Sequence, residues 1–365
     1  MNENCVVEIE GKKFIDIVNL VSNIKDKIPI VNYLKYEKIE VYLKPKILGR
    51  GHDSKKIILR RHIELNQLFF EGLGLWVGEG AKSKGLYFGN TSQELLLHWL
   101  KFVEEVLLMP RELFKVTIVL PKIVENVVEI KNKWSELLRI PIENFTNVSF
   151  KVNGTPSNFE YIHIYFSSII LSEIMNSICR KIKGLILENQ EFSVSFLRGL
   201  FSGEGGVVLN SRSRVHHVHL SNQNIELIEF VTEILKRLGI ERGKYFYESR
   251  KFPIYGKKNF EKLIRMCIFK LSTEKKIKLE EGFKEYERNV EEGKIMELKI
   301  LEQLLTKTMS YTELSKNLGK GRSTIQSHYI PLLLKKELVT YIGKKERSLL
   351  FEITAKGKEI LTTLL

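Results

Sequence analysis

The sequence predicts an α+β protein made of two like halves with antiparallel sheets, followed by a small basic domain of short helices and one hairpin. Three observations predict it. A glycine-rich pattern occurs twice, 125 positions apart. The residues that follow the pattern are repeated with it. From Lys294 the composition changes to short amphipathic helices.

The two copies are Glu71 to Gly80, EGLGLWVGEG, and Phe196 to Gly205, FLRGLFSGEG. Gly74, Gly78, Glu79 and Gly80 in the first correspond to Gly199, Gly203, Glu204 and Gly205 in the second. Glycine inside a helix costs roughly 1 kcal/mol relative to alanine, so four of them cost about 4 kcal/mol that packing must offset. Residues at i and i+4 share one helix face, so each pair of glycines makes a flat strip that lets two backbones approach. Leu73, Leu75, Trp76 and Val77, with Leu197, Leu200 and Phe201, supply the apolar flanks. Each helix then stops at a glycine, a usual helix-stop residue. Side by side and parallel, the helices bring Glu79 and Glu204 out together. Two carboxylates so placed repel unless a cation lies between them, and hard divalent ions take oxygen ligands of this kind. Chance glycines in two core helices would explain one copy; identical spacing in both argues against chance.

These stretches resemble the LAGLIDADG motif of homing endonucleases, in the form that carries two motifs on one chain. The resemblance implies cleavage of double-stranded DNA at long sites and a pseudo-two-fold interface between the motif helices. It also implies catalytic Mg2+ or Mn2+ at the acid before the last glycine of each motif, here Glu79 and Glu204. The earlier acidic position of that motif is Val77 here and Ser202 in the second copy, a position of helix packing more than of chemistry.

The repeat continues beyond the motifs. Gly85 to Asn90 and then Ser92 to Leu107 follow the first; His216 to Leu220 and then Ile225 to Leu238 follow the second. Phe88-Gly89-Asn90 matches Leu220-Ser221-Asn222, and Leu95 matches Leu227. Such repetition fixes an architecture of two pseudo-symmetric αββαββα units, residues 63–190 and 191–288, within a chain that needs no second copy to complete its dyad.

Length suggests two or three domains, and 43% apolar residues suffice for real cores. A net charge of +14 points to a polyanion or an acidic membrane surface. No apolar run approaches the ~18 residues of a membrane span. The N-terminus lacks the layout of a signal peptide. Cys5, Cys179 and Cys267 give neither a disulfide framework nor a zinc site, which points to a reducing cytosol. Met1 and the ending Thr-Thr-Leu-Leu365 argue against an intein.

In chain order, residues 1–62 form a segment with strands at Cys5 to Ile9 and Ile39 to Leu43 and a helix over Phe14 to Ile24. Lys44, Lys46, Arg50, Lys55, Lys56, Arg60 and Arg61 surround KILGRGHDSKK, a basic arm for phosphates or a solvated loop. In the first repeat an extra helix, Ile123 to Leu138, precedes strands at Val148 to Val152 and Phe159 to Phe166 joined by Asn153-Gly-Thr-Pro156, with Ile169 to Ile182 as closing helix. In the second, strands Tyr245 to Glu248 and Lys251 to Tyr255 lead through Gly256-Lys-Lys-Asn259 to a helix from Phe260. A sheet laid in the major groove points alternate side chains at the bases; Lys82, Lys84, Arg212, Arg214, Lys244, Arg250 and Lys251 are the candidates, or else ordinary exposed strand residues.

The endonuclease family often carries a lysine after the last strand of each repeat, near the scissile phosphate. Lys257 and Lys258 stand there in the second repeat. Lining up Ile164-Tyr165 with Ile254-Tyr255 puts Phe166, Ser167 and Ser168 there in the first, so the basic group is missing on one side. Strand-asymmetric cutting, nicking or loss of cutting stay open, as does a plain charged turn. His216, His217 and His219 read as strand-surface or DNA-contacting residues: only two share a face, and no Cys or carboxylate completes a metal set.

Glu274 to Glu292 reads as a charged exit helix. Residues 294–365 carry 13 Lys and Arg against 7 Glu, a net of +6. Met296 to Leu305 is a helix, and Ser310 to Gly319 is another with a capping box between Ser310 and Glu313. Ser323 to Lys336 is a third, which Pro331 is expected to kink. A hairpin with basic tip Gly343 to Arg347 and a last helix, Thr354 to Leu361, follow. This order resembles the winged helix-turn-helix of archaeal and bacterial transcription regulators. The resemblance implies a groove face of Arg322, Ser323, Thr324, Gln326, Ser327 and His328, and a wing of Lys344, Lys345 and Arg347. The reading is thus a metal-dependent, site-specific DNA endonuclease. The alternative is a non-cutting DNA-binding regulator, as in the bacterial sporulation regulators that join a LAGLIDADG-type fold to a helix-turn-helix.

Overall fold

In the computed structural model, which describes residues 5–21, 27–46, 52–80, 85–120, 126–150, 160–345 and 348–364, the chain forms two units, Met1–Gly282 and Phe283–Leu365. Among the described residues no helix is long and apolar enough to cross a membrane.

The first unit opens with β1 (Val6–Ile9), β2 (Lys12–Asp16), β3 (Lys27–Tyr33), β4 (Lys38–Pro45), β5 (Ile57–Arg60) and β6 (His62–Glu64). They make two antiparallel sheets, β1-β2-β6 and β3-β4-β5. Alternation buries Ile39, Val41 and Leu43 along β4. Over its described part, Phe14 to Val21, the helix expected to reach Ile24 is not formed. Phe14, Ile15 and Asp16 pair with Glu64, Ile63 and His62, and only a short 3-10 turn, Ile17–Asn19, follows. The described part of the basic stretch has side-chain partners. Arg61 binds Asp16 at 2.9 Å, Lys56 binds Glu40 at 3.1 Å, and the Lys55 ammonium stands 4.5 Å over the Phe166 ring. Arg50 lies outside the described residues.

The first repeat comprises α1 (Gln67–Glu79), β7 (Gly85–Asn90), α2 (Gln93–Glu105), β8 (Lys115–Leu120), α3 (Val127–Leu138), β9 (Phe145–Phe150), β10 (Tyr161–Ser167), α4 (Ile169–Lys181) and α5 (Lys183–Glu188). Its sheet runs β7-β10-β8-β9. The last two strands do not pair as the expected hairpin: β9 lies parallel to β8, and β10 inserts between β7 and β8. Parallel neighbours need a crossover, usually a helix, and α3 is that crossover. The Asn153-to-Pro156 turn lies outside the described residues.

The second repeat comprises α6 (Gln190–Glu204), β11 (Gly205–Leu209), β12 (Val215–Ser221), α7 (Ile225–Arg237), β13 (Lys251–Ile254) and α8 (Lys257–Arg265), with sheet order β11-β12-β13. The strand expected over Tyr245 to Glu248 is reduced to one bridge, Phe246 to Lys251, closed by a turn in which Arg250 has φ 52°.

The motif helices start alike. Asn66 caps α1 at the Phe69 N–H and Asn189 caps α6 at the Phe192 N–H, both at 3.0 Å. They then pack backbone to backbone. A Cβ added at Gly74 would lie 2.2 Å from the Phe196 carbonyl oxygen, and one at Gly199 2.0 Å from that of Glu71. The stop glycines are crowded instead by their own helices. Gly80 and Gly205 have φ of −80° and −85°, ordinary extended values rather than the left-handed cap expected of a helix-stop glycine. A Cβ there would meet the carbonyl oxygens of Trp76 and Phe201 at 2.4 and 2.5 Å. Above the glycines, Glu71 is buried in a polar cluster. Its carboxylate accepts from Gln67 at 2.6 Å and Lys270 at 3.3 Å, with His98 Nε2 at 3.3 Å and Arg198 at 3.9 Å. Burial alone would raise its pKa, but His98, Gln67 and Lys270 outweigh burial and hold it below the usual carboxylate range.

One continuous helix, α9 (Thr273–Thr306), replaces the two helices expected around Lys294; a helical glycine such as Gly293 costs only about 1 kcal/mol there. The second unit continues with β14 (Met309–Ser310), α10 (Tyr311–Leu318), α11 (Arg322–Thr324), a π turn (Ile325–Tyr329), α12 (Ile330–Lys335), β15 (Val339–Lys345), β16 (Ser348–Ile353) and α13 (Ala355–Leu364). Its core includes Leu304, Leu314, Ile325, Ile330, Leu333 and Phe351. The capping box at Ser310 and Glu313 is formed. Pro331 does not break the helix. The turn before it widens, so that the Ile330 N–H bonds to the Ile325 carbonyl, five residues back. Proline has no N–H to continue the regular pattern.

Candidate functional site

Because α1 and α6 run side by side, Glu79 and Glu204 leave them at one end. Each stem crosses the other helix's lower glycine. A Cβ at Gly203 would lie 3.1 Å from Glu79 Cγ, and one at Gly78 2.9 Å from Glu204 Cγ. The upper glycines therefore join the backbones, and the lower ones make room for the carboxylates. The symmetry extends to their partners. Asn90 donates to Glu79 and Asn222 to Glu204, both at 3.3 Å. Each Asn also accepts from the backbone N–H two residues on, at 2.8 and 2.9 Å. The match of Asn90 with Asn222 read from the sequence thus has a structural role. Ser202, the earlier motif position, accepts from the Leu271 N–H at 3.3 Å and serves packing.

Each glutamate lines its own cavity. That of Glu79, about 520 Å³, also contains Tyr161, Gly203, Thr273 and Lys275. That of Glu204, about 590 Å³, contains Gly78, Ser221, Asn222 and Arg250. The two differ in charge. Lys275, half-buried at the start of α9, donates to the carbonyls of Ser202 and Gly203, at 2.7 Å each. Burial pushes its pKa down, opposed by Glu79, Glu204 and Glu274. Burial pushes Glu79 above its ordinary value, with Lys275 partly offsetting. Tyr161 is pushed up to about 12, first by burial and then by the two glutamates. It is therefore a neutral hydroxyl at physiological pH.

A divalent ion needs several oxygen ligands and few cations nearby. The Glu204 side offers a carboxylate, the Ser221 hydroxyl and the Asn222 amide around a roomy cavity, with Arg250 held by Gln223 at 3.0 Å. These residues fit such an ion. The Glu79 side is lined by three carboxylates, Glu79, Glu94 and Glu274, with the Lys275 ammonium on the Ser202 and Gly203 carbonyls among them.

Lys257 and Lys258 lie in the first turn of α8, Lys257 3.7 Å from Glu261. The strand register corrects their alignment. Ile164 pairs with Phe88 and Phe252 with Leu220, so Phe166, not Ile164, corresponds to Ile254. Ser168 then matches Gly256, both helix caps, and Ile169 and Ile170 match the lysines. The first repeat still lacks the basic group. Among the candidate DNA contacts, Arg212, Lys244 and Arg250 are exposed, while Arg214 and Lys251 are half-buried. Lys82, Lys84, Arg347 and the Lys345 side chain lie outside the described residues. His216 and His217 touch through their Nδ1 atoms at 2.7 Å, and burial lowers His219 to about 4. In the second unit Arg322, Ser323, Thr324, Gln326, Ser327 and His328 are all exposed, while Ile325 and Ile330 of the same helical run are buried; Lys344 is exposed on β15.

Lys275 and Tyr161 went unread in the sequence. Lys275 lies among many charged helix residues, and its partners are 72 and 73 positions away. Tyr161 looked like any strand aromatic.

Residues 191–267 match the family described as the LAGLIDADG-like domain. An uncharacterized protein of Methanocaldococcus jannaschii is 25% identical over 142 residues, 34% of this chain and 51% of that protein. The chain thus spans about half the length of this curated relative. Solved structures of similar course include variants of the homing endonuclease I-DmoI, at 16% identity over 55% of this chain and 88% of that one, with a TM-score of 0.34. Full-length DUF199/WhiA from Thermatoga maritima is 17% identical over 74% of this chain and 91% of its own, with a TM-score of 0.35. Overlaps this loose do not fix correspondences between residues.

Proposed function

From a chain whose residues 191–267 are a LAGLIDADG-like domain, and whose first repeat sets a second helix-borne glutamate against it, we propose a duplex-DNA endonuclease that hydrolyses phosphodiesters with the help of Mg2+ or Mn2+. The observation that carries this reading is the pairing of Glu79 and Glu204 across Gly203 and Gly78, each carboxylate held by its own Asn. A divalent ion held by Glu204 would activate water and neutralise charge on the leaving oxygen. Asn222 orients the carboxylate, Ser221 adds an oxygen, and the net charge of +14 draws DNA to the protein. Lys257 and Lys258 stand ready to face a phosphate on that side.

The test is cleavage of a randomised duplex library with Mg2+ or Mn2+. Wild type is expected to cut. The Glu79→Gln, Glu204→Gln double variant should lose at least about a hundred-fold in rate, the several kcal/mol that metal assistance supplies. The second reading is a regulator that binds without cutting. Lys275 on the Ser202 and Gly203 carbonyls favours it, as does the lack of a first-repeat lysine. Salt-sensitive binding with no cleavage by either protein would decide for it.

We read the second unit as a winged helix that adds to DNA affinity. Arg322→Ala on its exposed helix face should weaken duplex binding by about 5- to 150-fold, equivalent to 1–3 kcal/mol. Fluorescence anisotropy checks this, with an unchanged circular dichroism spectrum showing that the fold is kept. An unaltered affinity would remove this unit from the DNA interface.

A further inference from the structure

Burying an aromatic ring is a large apolar gain, so two neighbouring rings held in water call for a partner. Phe246 and Tyr247 are such a pair, 49% and 74% exposed, on a turn at the edge of the Glu204 cavity. We propose that they form an aromatic tip that stacks on bases of the bound DNA and opens a base step beside the paired glutamates.

The turn that carries them is held from several sides. The Phe246 N–H donates to the Lys251 carbonyl at 2.8 Å, and the Lys251 N–H returns to the Phe246 carbonyl at 3.3 Å. The Asn222 N–H donates to the Arg250 carbonyl at 2.8 Å, and the Arg250 guanidinium donates to Gln223 at 3.0 Å. The Tyr245 hydroxyl donates to the Asn222 carbonyl at 2.8 Å, so the turn is fastened to the residue whose amide holds Glu204. Ser249 and Arg250 line the Glu204 cavity itself. Tyr245 also meets Tyr247 edge to face, ring centroids 5.0 Å apart, which steadies an exposed ring. A ring already held in place loses little freedom when it stacks. Charge selects the occupant. Lys244, Arg250 and Lys251 against one acid, Glu248, surround the tip, which suits a polyanion better than an apolar protein face. Every base has a π face for such rings, and apolar side chains set between base steps unstack them and kink the duplex.

This inference rests on the DNA-binding part of the reading above and not on cleavage. Full-length protein is titrated without divalent metal, so that nothing is cut, into a matched duplex and into the same duplex with two adjacent mismatches. Fluorescence anisotropy gives the affinities. Wild type is expected to bind the mismatched duplex at least about 5-fold more tightly, because that step is already loosened. The Phe246→Ala, Tyr247→Ala double variant should lose about 5- to 150-fold on the mismatched duplex, the span of one aromatic–base contact, and bind both duplexes alike. Its salt dependence should stay that of wild type, since stacking releases no counterions. Tyr247→Phe should keep the preference. Tyr247→Ala alone, at the more exposed position, should lose part of it and serves if the double variant does not fold. No preference in wild type, or a preference that the folded double variant keeps, would overturn the tip and leave DNA binding standing. A wild type that binds neither duplex would remove the DNA reading and the tip with it. Unchanged affinities in the double variant beside a loss of self-association in sedimentation would overturn the proposal in favour of contact between two copies of the chain.

Discussion

Gly199→Leu is expected to abolish the cooperative unfolding transition of the first unit. A Cβ at this position would lie 2.0 Å from the Glu71 carbonyl oxygen and 2.9 Å from the Leu75 nitrogen. Both are backbone atoms inside α1 and cannot swing aside as a side chain can. The helices must separate, which loosens the packing of Phe70, Leu73, Phe196 and Leu200 together. Even Gly199→Ala should cost about 3 kcal/mol, the upper end of overpacking penalties. Thermal denaturation followed by circular dichroism measures it. Gly184→Ala in α5 is the control: nothing lies within 4 Å of its added Cβ. That change should be neutral or stabilising by up to about 1 kcal/mol. Equal effects at the two sites would mean that the close approach of α1 and α6 does not matter.

The next largest effect is expected from Glu71→Ala. This carboxylate is 2% exposed and meets Lys270, His98, Gln67 and the more distant Arg198. Removing one partner of a buried ion cluster costs about 3–5 kcal/mol, because the other charges stay behind. The low end applies here, since Arg198 also donates to the Met266 carbonyl and Lys270 reaches solvent. At about 2–4 °C per kcal/mol, the melting temperature should fall by roughly 6–12 °C. The loss depends on pH with a definite sign. Glu71 is held below its ordinary value of 4.5, so its contribution is complete above that value and disappears as pH falls through the lower folded value. The gap between wild type and variant should therefore close in acid. A gap that stays constant through that range would assign the effect to lost packing instead.

Features written in local patterns were legible. The repeated glycines and glutamates announce the paired helices, the Asn90 and Asn222 match survives as two equivalent hydrogen bonds, and the Ser310 capping box forms as spelled. Features that depend on a distant partner were not. Phe14 to Ile24 can be read as a helix until β6 is seen to pair with its first residues, Phe14 to Asp16. The parallel strand β9 looks like half of a hairpin because nothing local reveals that α3 carries the chain across the sheet. The misalignment by two of Ile164 with Ile254 has a simple cause. Strand side chains alternate with a period of two, so a shift of two leaves every residue on its expected face. Only the pairing partner settles it. Lys275 was hidden for the same reason as the strand partners, since what defines it is a pair of carbonyls in another helix.

The distance in sequence between α1 and α6 bears on how the protein is made. At a synthesis rate of about 5–20 residues per second, the 125 positions between Glu79 and Glu204 take roughly 6–25 s to emerge. Through that interval α1, with Phe69, Phe70, Leu73 and Trp76 on it, has no partner for its glycine strip. The sheet offers no early shelter, because β10, its second strand in space, is its last in the chain and reaches back from Ile162 to Asn90. Lys270, which closes on Glu71, lies 199 positions beyond it. The first repeat is therefore a nascent half-protein whose apolar motif helix waits for the second repeat.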